Sequence, residues 1–120
     1  MTVLTRRSDF LRANRGLRVS RPGFVLLAVP NQTESVRCGI TVTKRIGNAV
    51  VRNRMKRRFR ALLRELLPEA GLAGHDHVLI GREGGIDRDF AALRDELRAA
   101  LARAAAGKGD PPRRRGSPRR

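Results

Sequence analysis

The chain contains no tryptophan and no tyrosine, and four phenylalanines are its only aromatic residues. A row of aromatic platforms that stacks successive bases is therefore not its expected main mode of binding nucleic acid. It has one cysteine, Cys38, so no disulfide can form within the chain. Cys38 falls in an alternating apolar run, where a buried free thiol is the default, and a reducing, cytoplasmic setting fits. No apolar stretch approaches the length of a membrane span, and the first ten residues lack the apolar core of a secretory signal. Titratable catalytic groups are equally sparse. His75, Asp76 and His77 suggest a metal site at first sight, but no further Cys or carboxylate completes a ligand set, so one surface and one partly buried histidine are expected. Ser, His and Asp are too scattered to propose a nucleophilic triad.

Positive charge is abundant. Lys and Arg number 27 against 11 Asp and Glu, a formal net charge of +16 on 120 residues. A chain of this length makes one small domain, and an apolar content of 40% suffices for one core. Such an excess strains a compact fold by self-repulsion and calls for an anionic partner, nucleic acid being the commonest. The charge is not spread evenly. Residues 6–21 carry six arginines against Asp9, residues 44–64 carry nine cations and no acid, and residues 108–120 carry six cations against Asp110. Gly107, Gly109, Pro111, Pro112, Gly116 and Pro118 break up the last block, so residues 1–106 are expected to form the domain and 107–120 a disordered basic tail.

Periodicity outlines the elements. Ser8 is a candidate N-cap for a short helix through Phe10, Leu11 and Asn14 that closes at Gly16. Leu17–Ser20 reads as a short strand, and Phe24–Val29 as a strand buried on both faces. In Val36–Thr43, Val36, Cys38, Ile40 and Val42 point one way and Arg37, Gly39, Thr41 and Thr43 the other, and a hairpin between these last two strands is the simple inference. Asn48 caps a helix expected from Ala49 to about Leu67, where Pro68 stops it. Its apolar stripe is Val51, Met55, Phe59, Leu62, Leu63 and Leu66; Arg54, Arg57, Arg58, Arg60 and Arg64 occupy the rest of its circumference. Asp76–Gly81 reads as a strand, and Asp87 or Asp89 opens a last helix with Phe90, Leu93, Leu97, Leu101 and Ala104 on one face. The order αβββαβα implies an α+β sandwich, a small mixed sheet packed by helices.

The segment from Lys44 to Arg60 is the most informative. A strand end feeds a Gly47-Asn48 turn and then the start of a cation-rich helix, where backbone N–H groups and Arg forks both favour phosphate. Asn53 is placed to hydrogen-bond a sugar hydroxyl or a base edge. A solvated helix face usually carries charges of both signs. Here nine cations face no acid, and like charges one turn apart repel.

This segment closely resembles the Arg-Asn-Arg signature of the protein subunit of bacterial ribonuclease P. The match takes in Gly39-Ile40-Thr41-Val42-Thr43-Lys44-Arg45-Ile46-Gly47-Asn48-Ala49-Val50, then Arg52-Asn53-Arg54, Lys56-Arg57 and Arg60. Ser8-Asp9-Phe10, Phe24-Val25-Leu26 and Asp76-His77-Val78-Leu79-Ile80 fall where the family has comparable elements, so the resemblance spans roughly residues 5 to 104. It implies an α/β sandwich with a left-handed crossover through the Arg-Asn-Arg helix, an exception to the usual handedness. It also implies a role in hydrolytic removal of the 5′ leader from precursor tRNA, the chemistry belonging to a large RNA subunit that uses Mg²⁺, with no catalytic residue and no cofactor in the protein. Lys44, Arg45, Arg52, Asn53, Arg54, Lys56, Arg57 and Arg60 would contact that RNA subunit.

A separate cleft between the first helix and the sheet would hold the single-stranded leader, through Phe10, Arg12, Phe24, Thr41 and Thr43. Phe10 and Phe24 read equally well as core residues. The segment to Gly16 is one residue shorter than the family pattern. Asn14 stands where the family often has a second aromatic or apolar residue, and Leu27 where it often has tyrosine. Two other function classes fit the charge. A ribosomal-type or general RNA-binding protein would share the basicity and the tail, but the Lys44–Arg60 signature argues against it. A membrane-surface protein would need the apolar stripe that the core requires.

Overall fold

The structure is a computed structural model and describes residues 2–110. Its elements are β1 (Thr2–Val3), α1 (Arg7–Ala13), β2 (Leu17–Ser20), β3 (Phe24–Pro30), β4 (Arg37–Thr41), α2 (Ala49–Ala70), β5 (His75–Gly81) and α3 (Phe90–Ala105). Single 3-10 turns lie at Lys44–Ile46 and Glu83–Gly85. The strands form one sheet in the order β1-β4-β5-β3-β2. The α+β expectation holds, with β1 as an additional edge strand.

The expected hairpin between Phe24–Val29 and Val36–Thr43 does not form. β3 pairs antiparallel with β2 on one side and with β5 on the other, while β4 runs parallel to β5 and to β1. The reason is burial. Val78, Leu79 and the neighbouring positions of β5 are buried on both faces, so β5 takes the centre beside β3 and displaces β4 outward. β4 carries Arg37 and Thr41 and suits the flank. The parallel β4–β5 pair is bridged by α2, the crossover that such a pair requires.

Alternation along β3 serves two cores. Phe24, Leu26 and Ala28 face α2 and α3 and pack with Met55, Phe59, Leu62, Leu93 and Leu97. The rings of Phe24 and Phe59 meet edge to face at 6.5 Å. Val25, Leu27 and Val29 face the other way, toward Leu4, Ala13, Val78 and the partly buried Phe10. Among the described helices only α1 covers that second face. Seven residues of helix span about 10 Å, less than the sheet beneath, so part of the face stays open.

Two helix limits differ from expectation. Ser8 does not cap α1; Arg6 precedes the helix with no side-chain cap, and Asp9 supplies the favourable charge in the first turn. Pro68 does not end α2, which runs to Ala70. Proline withholds one N–H here on the exposed side of the last turns, while buried Leu66 and Leu67 hold the inner side and Gly71 N–H donates to the Leu67 carbonyl. Asn48 and Asp89 do cap α2 and α3, accepting from the N–H groups of Val51 and Ala92. The expected tail begins differently as well. Asp110 lies against β2, its N–H donating to the Arg18 carbonyl and its carboxylate accepting from Ser20 N–H. Residues 111–120 of that tail lie outside the described residues.

Asp76 and His77, neighbours on β5, face opposite sides of the sheet and both are fully buried. The Asp76 carboxylate accepts from Arg37 Nε at 2.7 Å and Arg37 Nη2 at 2.9 Å, from Arg12 Nη2 at 2.6 Å and from Asn31 Nδ2 at 3.0 Å. Burial alone would raise its pKa. The hydrogen bonds from Arg37, Asn31 and Arg12 outweigh burial and hold the carboxyl below its ordinary range. His77, expected to be only partly buried, is closed off between β4 and the loop after α2. Leu72 N–H donates to Nε2 at 3.0 Å, so that nitrogen is unprotonated and Nδ1–H donates to the Arg37 carbonyl at 3.0 Å. Burial lowers the pKa of His77 below the ordinary histidine value.

Removing the carboxylate in Asp76→Ala takes away the direct hydrogen bonds of Arg12 and Arg37 and leaves them only the longer contacts to Asp9, at 3.5 and 3.6 Å, and urea unfolding should show a loss of about 3 kcal/mol. The two buried groups also predict two separate acid phases. A histidine with a depressed native pKa binds its proton in the unfolded state first, so its share of stability is complete above pH 6.5 and is lost as pH falls below that value. Asp76 follows the same sign at lower pH, its share being lost only as pH falls below 3.8 and through the native value. Urea midpoints between pH 7 and 5 should therefore fall for the native chain and stay flatter for His77→Gln.

Candidate RNA interface

The cations of residues 44–64 divide by their position around α2. Met55, Phe59, Leu62, Leu63 and Leu66 turn inward, Asn53 and Arg57 lie exposed on the opposite side, and Arg60 and Arg64 are exposed toward the flank that borders the sheet edge. On one flank Arg58 reaches the loop before α3, where it donates to the carbonyls of Gly85, Ile86 and Arg88. Its guanidinium also stands 5.8 Å from the Phe90 ring centroid. Arg54 touches the same loop more loosely, at 3.4 Å from the Asp87 carboxylate, with both side chains largely in water. On the other flank Lys56 borders the sheet edge. Lys44 and Arg45 are exposed in the 3-10 turn, and Arg52 donates to the Gly47 carbonyl at 3.2 Å. Among the described residues, Arg54 alone of these nine cations has an ion-pair partner. The face is a dense array of cations whose charge is almost wholly uncompensated by described acidic side chains.

A cleft of about 430 Å³ opens where α1 fails to cover the sheet. Its helix side is formed by Arg7, Phe10, Leu11 and Asn14, and its floor by Leu27, Thr41, Val78 and Ile80. Phe10 reaches this position because β4 has Gly39 beneath it; a Cβ there would stand 2.7 Å from the ring. The cleft combines an apolar floor with one aromatic, one arginine, an amide and the hydroxyls of Thr5 and Thr41, which suits an extended polar chain with some apolar surface.

The model of the Ribonuclease P family matches residues 2–105. The chain belongs to that family. Ribonuclease P protein component from Erythrobacter litoralis is 74% identical over 94% of this chain and 93% of its own. The component from Gluconacetobacter diazotrophicus is 48% identical over 84% and 89%. Among solved structures, the RNase P protein of Staphylococcus aureus superposes with a TM-score of 0.74 at 27% identity, covering 87% of this chain and 95% of its own. That of Thermotoga maritima gives 0.73 at 29%, covering 86% and 96%.

In this ribonuclease P family member the residues expected to contact an RNA subunit lie together at the start of α2 and the turn before it. The five residues expected for the leader do not. Phe10 and Thr41 share the cleft. Phe24 is fully buried on the other face of the sheet, against Phe59, because strand alternation sets it opposite Leu27. Arg12 is turned onto Asp76, and Thr43 lies beyond the end of β4 in a polar recess with Arg45, Arg82 and Glu83. Arg7, Leu11, Asn14, Leu27, Val78 and Ile80 were not in the expected set. Two signals point to them: the i, i+3, i+4, i+7 spacing of residues 7, 10, 11 and 14, and the period-two alternation of β3. Among the described residues no group of three or more His, Cys, Asp and Glu side chains is placed to hold a metal ion. No described helix is long and apolar enough to cross a membrane.

Gly39→Ala drives a methyl group into Phe10, and the expected result is a displaced ring and a loss of about 1–2 kcal/mol. NMR shifts of Phe10, Thr41 and Val78 check the displacement, and urea unfolding checks the loss.

Proposed function

We propose that this chain is the protein component of a cytoplasmic ribonuclease P, working in the removal of the 5′ leader from precursor tRNA. The observation that carries the reading is the exposed, acid-free face at the start of α2, in a chain 74% identical to a protein named Ribonuclease P protein component. Lys44, Arg45, Arg52, Asn53, Arg54, Lys56, Arg57 and Arg60 bind the catalytic RNA subunit, arginine forks gripping phosphate oxygens and Asn53 a sugar or base edge. The cleft under α1 receives the single-stranded leader, with Phe10 stacking a base and Arg7 contacting a phosphate. Hydrolysis belongs to the RNA subunit and its Mg²⁺; the protein raises affinity for precursor over product, because only the precursor has a leader to place in the cleft. Family membership does not favour a ribosomal-type or general RNA-binding role.

Two measurements test this reading. Added to the matching RNA subunit at low Mg²⁺, the chain should restore leader cleavage, while the chain alone cleaves nothing; absence of stimulation overturns the reading. Arg52→Ala combined with Arg54→Ala should weaken assembly with the RNA subunit, and each lost phosphate contact should reduce the slope of log K against log salt by about 0.7 to 0.9. An unchanged slope means that these side chains do not touch phosphate.

A further inference from the structure

Phe10 lines a second recess besides the α1 cleft. This pocket, about 370 Å³, lies at the outer edge of the sheet and extends from Leu4 and Phe10 past Ile40 to Leu63 of α2. Lys56, Arg60 and Arg64 stand along its helix wall. They are successive residues of one helix stripe, stepping along the axis by about 6 Å. Among the described residues none of the three has an ion-pair partner. The strand edge is open at the same place, since β1 pairs only with Arg37 and Cys38 whereas β4 continues to Thr41.

The pocket therefore joins an apolar floor to a row of cations beside an unpaired strand edge. That combination fits a nucleotide in a single strand, its base on the apolar floor and its phosphates along the cations. Continuity decides which strand. Both recesses share Phe10, so a chain leaving the α1 cleft past that ring enters the edge pocket directly. We propose that the edge pocket is a second leader subsite, which takes the nucleotides of the precursor's leader that lie beyond those held under α1. The inference rests on the reading of the α1 cleft as the leader site. It gives Lys56 and Arg60 a second use on their sheet-facing flank and assigns Arg64 and Val3, which rims the pocket, to substrate binding.

The test uses the assembled protein–RNA holoenzyme and precursor tRNAs whose leaders lengthen one nucleotide at a time. Affinity of the native complex should rise in a further step once the leader is long enough to pass Phe10. Arg64→Ala, and separately Val3→Glu, which sets a negative charge at the pocket mouth, should lower the ratio of long-leader to short-leader affinity about three- to fivefold. For Arg64→Ala the salt slope for the long leader should fall by about 0.7. A ratio unchanged in both variants overturns the subsite. So does weaker assembly of the variants with the RNA subunit in the absence of precursor, which would make that RNA the occupant. A native complex whose affinity ignores the leader altogether overturns the leader-site reading together with the subsite. Leader-dependent affinity that is insensitive to Arg64 and Val3 overturns the subsite alone.

Discussion

The Asp76 carboxylate, shut away from solvent in the central strand, gathers three separate parts of the chain. Arg37 grips it with two parallel hydrogen bonds from the neighbouring strand, Arg12 reaches it from α1, and Asn31 from the loop after β3. A buried charge is tolerable only when paired and fully hydrogen-bonded, and here the pairing dictates geometry. β4 must lie beside β5 for Arg37 to reach, and α1 must cross that end of the sheet for Arg12 to reach. Asn31 in turn accepts from Thr33 and donates to the Ser35 carbonyl, which folds the loop leading into β4. A seven-residue helix has little stability of its own, so this clamp and the seat of Phe10 on Gly39 hold α1 in place. The cleft is what remains of the second sheet face once α1 has been fixed at the Asp76 end.

Charge on α2 is divided between structure and binding. Arg58 spends its donors on three backbone carbonyls and its flat face on Phe90, which Arg94 approaches from 5.3 Å as well. It fastens α2 to the start of α3. Arg57, Arg60, Arg64 and Lys56 have no such anchorage, and their mutual repulsion is borne by the apolar stripe that buries Met55, Phe59, Leu62, Leu63 and Leu66 against the sheet. The fold thus holds open a surface that an anion would stabilise.

Much of this was legible from the residues. Element order from α1 onward, the cap at Asn48, the two-faced strand from Phe24 and the acid-free run of residues 44–64 all follow from periodicity, propensity and charge, which act over a few residues. The Arg52-Asn53-Arg54 segment pointed to the family because its spacing along one helix is local too. Pro68 misled, since its cost depends on what the other side of the helix is packed against.

Strand order, by contrast, is a property of long-range pairing. The two apolar strands from Phe24 and His75 had to find each other across more than forty residues, and no local pattern says that β5 inserts where a hairpin was simpler. Asp76 looked like an incomplete metal ligand because its partners, Arg12 and Arg37, are distant in the chain. Phe24 and Arg12 read as leader-cleft residues in the sequence for the same reason: which face a side chain meets is settled only when the sheet closes. The sequence by itself determined the elements, the family and the place of the positive charge. The tertiary structure decided which cations are left unpaired and which residues, from Arg7 to Ile80, meet in one cleft, because burial and pairing belong to the assembled sheet and to no single segment.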